Sequence, residues 1–199
     1  TYGDWSSDVC SSDLDAAGLV SSVLALEAAV IGGLPMHGNL RHLVEHEPAI
    51  VVRTSDAGEP GFALVGPRGL VTGLSAALRA RGGVDLDEET AETIRIEAGV
   101  PVFGRDMDED TIPLEAGIEQ QAISFTKGCY VGQEVIIRVL HRGHGRVARK
   151  LVGLRLDAAQ DPPEAGTVLL AEGKEAGRVT SSTRSPDRKS TRLNSSHRT

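Results

Sequence analysis

The two terminal segments of this 199-residue chain can be encoded by DNA sequences that are reverse complements of each other. This relation decides which residues can be used to infer the fold. The segment Asp4–Asp13 reads DWSSDVCSSD, and the segment Asp187–His197 reads DRKSTRLNSSH. A back-translation of the first segment, read on the opposite strand, encodes the start of the second over about ten codons, a match that two unrelated Ser-rich tails would not produce. We therefore expect residues 1–14 and 187–199 to be adapter-derived, and 15–186 to be part of a longer gene.

The composition of the chain excludes several classes of protein. Hydrophobic residues make up 40% of the sequence, charged residues make up 25%, and the formal net charge is −7. An acidic chain is not expected to bind nucleic acid non-specifically, so direct RNA binding is not predicted. No apolar run reaches the roughly 18 residues that a membrane span requires. Cys10 and Cys129 are the two cysteines, too few for a disulfide framework.

Local patterns predict both helices and strands in the first part of the interior. Dense apolar residues and helical spacing indicate helices, two of which are followed by Gly-Gly pairs that favour a helix end. Acidic residues at the start of a third helix favour its N-terminus. Two β-branched or apolar runs joined by turn residues indicate a hairpin. The predicted helices cover 15–31, 70–81 and 87–96, and the predicted strands cover 49–54 and 61–65.

The pattern changes after Arg146, where short apolar runs alternate with turn residues. Strands are predicted over 150–156, 167–170 and 176–180, a spacing typical of a small antiparallel barrel. Three strands are too few to close a barrel, so we expect an open sheet edge. The fold class is therefore α+β: a mixed region over 15–145 is followed by an incomplete barrel over 146–186.

The segment 125–134, FTKGCYVGQE, is the most informative for chemistry. Residues from Gly132 onward can start a helix, which places Cys129 just before a helix N-terminus and two positions from Lys127. Both features favour a reactive thiolate, and Cys129 and Lys127 are the candidate catalytic residues. The alternative is a buried cysteine that acts as a small core residue. The sequence leaves these two interpretations evenly balanced.

The octapeptide KGCYVGQE resembles the signature of the YgfZ-type folate-binding proteins, which are relatives of the glycine-cleavage T-protein. The signature positions are Lys127, Gly128, Cys129, Tyr130, Gly132, Gln133 and Glu134. Further blocks match the superfamily in the same order. They are RIEAGVP (95–101), FGRD (103–106), PLEAG (113–117) and GRVTSSTRSP (177–186).

The resemblance implies a three-part ring that encloses tetrahydrofolate or a one-carbon derivative of it, followed by a small C-terminal barrel. Glu97 stands at the position of the superfamily's pteridine-binding glutamate. A carboxylate suits the 2-amino and N3–H edge of a pterin, with which it can pair bidentately. Phe103, in the next block, is predicted with Glu97 as a cofactor-binding residue. The first domain of the ring is expected upstream of residue 15.

The YgfZ-type resemblance also implies a function for the signature. Cys129 and Lys127 stand where that family supports iron–sulfur enzymes or their assembly proteins and, through them, tRNA modification. It implies a cytoplasmic accessory protein rather than an ordinary enzyme. The alternative is a folate-dependent aminomethyltransferase of the T-protein kind, a branch that generally lacks the cysteine of this motif.

A basic stretch follows the signature in this acidic chain. It could attract a polyglutamyl folate tail or RNA phosphate, although a plain solvated face is the commoner role of such runs. No metal site is predicted, because Cys129, His141 and His144 lack zinc-ligand spacing. The basic stretch comprises Arg138, His141, Arg142, His144, Arg146, Arg149 and Lys150.

Overall fold

The computed structural model describes residues 5–10, 16–56, 58–141, 146–156, 161–185 and 190–198. It divides into two compact units, Thr1–Ile94 and Arg95–Thr199. Each unit contains its own four-stranded antiparallel sheet. The domain ranges expected from the sequence, 15–145 and 146–186, remain predictions.

The first unit packs helices on one antiparallel sheet of order β1-β4-β3-β2. Its core consists of side chains from α1, α2, β3, β4 and α3. Each Val, Leu, Ile or Phe side chain among them contributes roughly 1.5–3 kcal/mol when it is fully removed from water. The elements are β1 (Trp5–Cys10), α1 (Ala16–Leu24), α2 (Ala28–Gly32), β2 (Asn39–Val44), β3 (Glu47–Thr54), β4 (Gly61–Pro67) and α3 (Arg68–Ala80). The core residues with the least exposure are Val20, Leu24, Ile31, Val51 and Leu64.

The helix predicted over 15–31 is in fact two helices, α1 and α2. Ala25 adopts a left-handed φ of 53°, which interrupts the helical backbone after Leu24. The amide of Leu26 then donates to the carbonyl of Ser21 at 2.9 Å and closes the end of α1. Apolar residues continue through this break because both helices bury side chains, so the composition does not reveal it.

The predicted hairpin over 49–65 is confirmed as β3 and β4, but β2 was not predicted. Glu45 and His46 form the turn between β2 and β3, with φ values of 49° and 72°. Two successive positive φ angles are those of a type I′ turn, which normally carries Asn or Gly. Because Glu and His are unusual there, the sequence has no recognisable turn signal at this hairpin.

The predicted helices over 70–81 and 87–96 are confirmed as α3 and α4 (Glu88–Ala98). Gly82 follows α3 with a φ of 98°, and the amide of Gly83 donates back to the carbonyl of Leu78 at 3.0 Å. Asp87 precedes α4, and its carboxylate accepts the amide of Thr90 at 2.7 Å. This bond satisfies one of the unpaired amides of the first turn.

The second unit contains short helices and an open sheet of order β5-β8-β7-β6. The three strands predicted after Arg146 are confirmed as β5, β6 and β7, and β8 pairs between β5 and β7. No closed barrel forms among the described residues; the sheet ends in β5 and β6, as the small number of strands predicts. Its elements after α4 are α5 (Pro113–Ala116), α6 (Glu119–Ala122), α7 (Gln133–His141), β5 (Arg149–Leu156), β6 (Val168–Ala171), β7 (Lys174–Ser185) and β8 (Ser190–Arg198).

Within the described ranges, no helix is both long enough and apolar enough to cross a bilayer. The same residues contain no group of three His, Cys, Asp or Glu side chains arranged to hold a metal ion.

Candidate functional site

The last turn of α4 carries a buried guanidinium group. Arg95 is 6% exposed, and its Nη1 donates to the carbonyl of Val100 at 2.5 Å and to Oδ2 of Asp106 at 2.6 Å. Its Nη2 donates to Oγ of Ser181 at 3.0 Å. A buried charge is tolerated only where it is paired and hydrogen-bonded, and Arg95 meets both conditions.

Asp106, the ion-pair partner of Arg95, lies at the end of a tight turn. The turn places Gly104 at a φ of 83°, and the amide of Asp106 donates to the carbonyl of Val102 at 2.9 Å. In return, Oδ2 of Asp106 accepts the amide of Val102 at 3.1 Å. The side chain of Asp106 has no solvent exposure, so these partners replace water completely.

Strand β7 supplies the remaining partners of the carboxylate. Oδ1 of Asp106 accepts the hydroxyl of Thr180 at 2.6 Å and that of Ser181 at 2.5 Å. Neighbouring side chains of a regular strand point to opposite faces. The pairing of β7 with β8 shifts register between Val179 and Ser181, at the point where the two hydroxyls converge on one oxygen.

The pKa of Asp106 lies below its ordinary value of 3.8. Burial by itself raises the pKa of this carboxyl, because it disfavours the charged form. The hydrogen bonds from Ser181, Thr180 and the amide of Val102, together with the charge of Arg95, outweigh that effect. The carboxylate is therefore ionised at neutral pH, and it joins α4, the turn at Gly104 and strand β7.

Beside this network lies a pocket of about 330 Å³ within the second unit. Asp106 and Thr180 form part of its wall, so the buried carboxylate lies directly behind the pocket surface. Four basic side chains line it, and acidic groups other than Asp106 accompany them. The basic residues are Arg105, Arg149, Lys150 and Arg178, and the acidic residues are Asp108 and Glu115.

The predicted folate-binding residues lie on the segments that this network holds. Glu97 is half-buried on the last turn of α4, two positions after Arg95. Phe103 lies in the turn that ends at Asp106, and the residue is 67% exposed. Neither residue is among those that line the pocket described above.

The signature segment lies on the surface of the second unit. Cys129 is an exposed free thiol, which excludes its interpretation as a core residue. The ammonium group of Lys127 lies 4.7 Å from the centre of the Tyr130 ring, a cation–π contact. Gly132 has a φ of 85°, and α7 begins at the next residue, where the sequence places a helix start. The reactivity of the thiol remains a prediction.

The basic stretch is described in part. Arg138 forms an exposed ion pair with Glu134 at 2.7 Å, one turn apart on α7, as a solvated face predicts. Arg149 and Lys150 line the pocket. Arg142 and His144 lie outside the described residues.

Sequence reasoning missed the buried network of Arg95, Asp106, Thr180 and Ser181. A signal for it was present, because these residues fall in the matched blocks RIEAGVP, FGRD and GRVTSSTRSP. The blocks alone do not identify these residues as a network, since a charged residue in a sequence is ordinarily exposed. The fold shows that three of the blocks meet at one carboxylate.

Comparison with known proteins relates the sequence of this chain to the glycine-cleavage T-protein and its relatives. The model of the glycine cleavage T-protein C-terminal barrel domain matches residues 149–191. An aminomethyltransferase of Streptomyces coelicolor is 32% identical over 166 residues, 81% of this chain and 44% of the relative. An aminomethyltransferase of Rubrobacter xylanophilus is 34% identical over 164 residues, 81% of this chain and 43% of the relative. The comparisons support the glycine-cleavage T-protein superfamily.

The fold of the chain is similar to that of one solved T-protein structure. The crystal structure of glycine cleavage system aminomethyltransferase T from Bartonella henselae matches with a TM-score of 0.74 and 22% identity. The match covers 92% of this chain and 48% of that chain. The chain thus spans a little under half the length of these T-protein relatives.

The names of the T-protein relatives bear on the two functions that the sequence leaves open. Both relatives quoted carry the name aminomethyltransferase, and neither is named as a YgfZ-type protein. These comparisons give no support to a role in iron–sulfur assembly or tRNA modification.

Proposed function

We propose that this chain is the tetrahydrofolate-binding part of a folate-dependent aminomethyltransferase of the glycine-cleavage T-protein kind. The observation that carries the proposal is the set of aminomethyltransferases at least 32% identical over about four-fifths of the chain. The convergence of three superfamily blocks on Asp106 supports it, because these blocks form one packed unit around the segment that bears Glu97.

The residues present suit a reduced pterin. Glu97 offers a half-buried carboxylate, which accepts two parallel hydrogen bonds from the 2-amino and N3–H edge. Phe103 offers an exposed aromatic face on the neighbouring turn, against which a flat ring can pack. When bound, tetrahydrofolate supplies the atoms that carry the one-carbon group, and these two residues hold and orient its ring.

Calorimetric titration with tetrahydrofolate tests this function. Glu97→Gln keeps the shape of the side chain but removes its charge, and we expect at least tenfold weaker binding, equivalent to about 1.4 kcal/mol. Glu89→Gln is the matched control, because Glu89 is an exposed acid in the first turn of the same helix. This variant should bind tetrahydrofolate with the affinity of the unchanged chain. A chain that binds no tetrahydrofolate contradicts the proposal.

One observation favours the YgfZ-type accessory function as a second candidate. The cysteine of KGCYVGQE is exposed, so it is available to a partner protein. An aminomethyl-transfer assay on the full-length product of the source gene, with a lipoyl carrier protein and tetrahydrofolate, separates the two candidates. Transfer that is unaffected by Cys129→Ser supports the transferase. Folate binding without transfer supports the accessory protein.

A further inference from the structure

The Asp106 carboxylate accepts hydrogen bonds from helix α4, from its own turn and from strand β7. Arg95 is 11 residues before it, and Thr180 and Ser181 are 74 and 75 residues after it. The amide of Val102 completes the set within the turn. Four directional bonds on one fully buried group leave little freedom in how these segments lie against each other.

This network acts on the helix turn that carries Glu97. Successive residues of an α-helix are rotated by about 100°, so Arg95 and Glu97 lie roughly 200° apart around the axis of α4. A guanidinium held toward Asp106 therefore directs the side chain at position 97 toward the other side of the helix. The carbonyl of Val100, just after the helix, accepts from the same guanidinium and ties down the chain that leads to Phe103.

We propose that Asp106 is a positioning residue that fixes the rotation of the last turn of α4 against β7 and thereby aims Glu97 at its ligand. The role in ligand binding rests on the proposed folate function, whereas the mechanical coupling does not. A buried ion pair contributes little net stability compared with well-packed apolar groups of the same volume. The fixed geometry that its directional hydrogen bonds impose explains the burial of this ion pair better than a gain in stability does.

Amide hydrogen exchange of the full chain tests the mechanical part without any ligand. In Asp106→Asn, we expect exchange at least about tenfold faster at the amides of Val100 and residue 106, whose hydrogen bonds close the two turns held by the network. Asp108→Asn is the matched control, since Asp108 is an exposed acid of the same loop that binds Thr111 and not Arg95. Equal exchange in the two variants at Val100 and residue 106 overturns the proposal.

A double-mutant cycle on tetrahydrofolate affinity tests the positioning part. If Asp106 acts through Glu97, Asp106→Asn weakens binding several-fold in the unchanged chain and has no further effect in Glu97→Gln. If the two substitutions lower the affinity for tetrahydrofolate additively, Asp106 has a merely structural role and the positioning proposal is overturned. Ser181→Ala, which removes two bonds of the network but keeps the ion pair, is used in the same cycle if Asp106→Asn does not fold.

The two experiments separate failure of this inference from failure of the proposed function. An unchanged chain that binds no tetrahydrofolate contradicts the folate function, and the exchange measurement still decides whether Asp106 couples α4 to β7. Folate binding together with unchanged exchange in Asp106→Asn contradicts the positioning role alone.

Discussion

At the scale of single residues, the buried carboxylate of Asp106 links distant segments of the second unit. It is ionised, has no solvent exposure and accepts bonds from Arg95, Thr180, Ser181 and the amide of Val102. Removing one partner of a buried pair is costly because the other charge stays buried. The contribution of such a carboxylate to the free energy of unfolding depends on pH. The direction of that dependence follows from the shift of its pKa.

Asp106→Asn should lower the free energy of unfolding at pH 7 by about 3–5 kcal/mol. The pKa of Asp106 is lower in the folded protein than its ordinary value of 3.8, so the unfolded chain binds the proton more readily. The stabilisation is therefore complete above that value and is lost as the pH falls through the folded pKa. Urea unfolding between pH 7 and pH 3 measures both effects.

The control for the pH experiment is Asp108→Asn. The pKa of Asp108 is also lowered, chiefly by its hydrogen bond from Thr111, but this carboxylate is exposed. We expect that variant to keep most of the acid sensitivity of the unchanged chain. An Asp106→Asn chain with the same loss of stability in acid as the unchanged chain contradicts the assignment.

At the scale of secondary structure, the elements with strong local signals were predictable and those without were not. Helix α3 ends at a Gly-Gly pair, and α4 begins after an aspartate that caps its first turn. Strand β2 escaped prediction because its turn uses Glu45 and His46 in a conformation that favours other residues. That mismatch between residue type and backbone leads to a stability prediction.

Replacing Glu45-His46 by Asn-Gly should raise the free energy of unfolding by about 1 kcal/mol. Both φ angles are positive, and Asn and Gly adopt them with less strain than Glu and His. The expected result in thermal or urea unfolding is a higher midpoint with an unchanged fold. Ala-Ala at the same positions is the control, because it removes the same side chains without easing the backbone. Equal stability of the two variants contradicts the explanation.

At the scale of the whole molecule, the two compact units differ in what their sequences reveal. Thr1–Ile94 has its core in a sheet with helices, and its buried apolar side chains are those of the predicted elements. Arg95–Thr199 contains the matched blocks and the polar network that joins three of them. Its strands β5, β6 and β7 were expected from turn spacing.

The origin of the two chain ends gives a prediction at this scale. Independent sequencing of the source DNA should give different codons beyond residues 15–186, because we infer that the ends are adapter-derived. Reads of the interior from the same sample are the control and should reproduce it. Recovery of the same end codons in genomic DNA from an adapter-free preparation would refute the inference.

The elements with strong local signals and the resemblance to the T-protein superfamily follow from the sequence alone. Helix ends, turn residues and strand runs act over a few neighbouring positions, so α3, α4 and the β3–β4 hairpin could be read directly. The break at Ala25 and the exposure of Cys129 were decided by tertiary packing. So was the meeting of Arg95, Asp106 and Ser181, since these partners lie up to 86 residues apart and only the folded chain brings their charges and hydroxyls within hydrogen-bond distance.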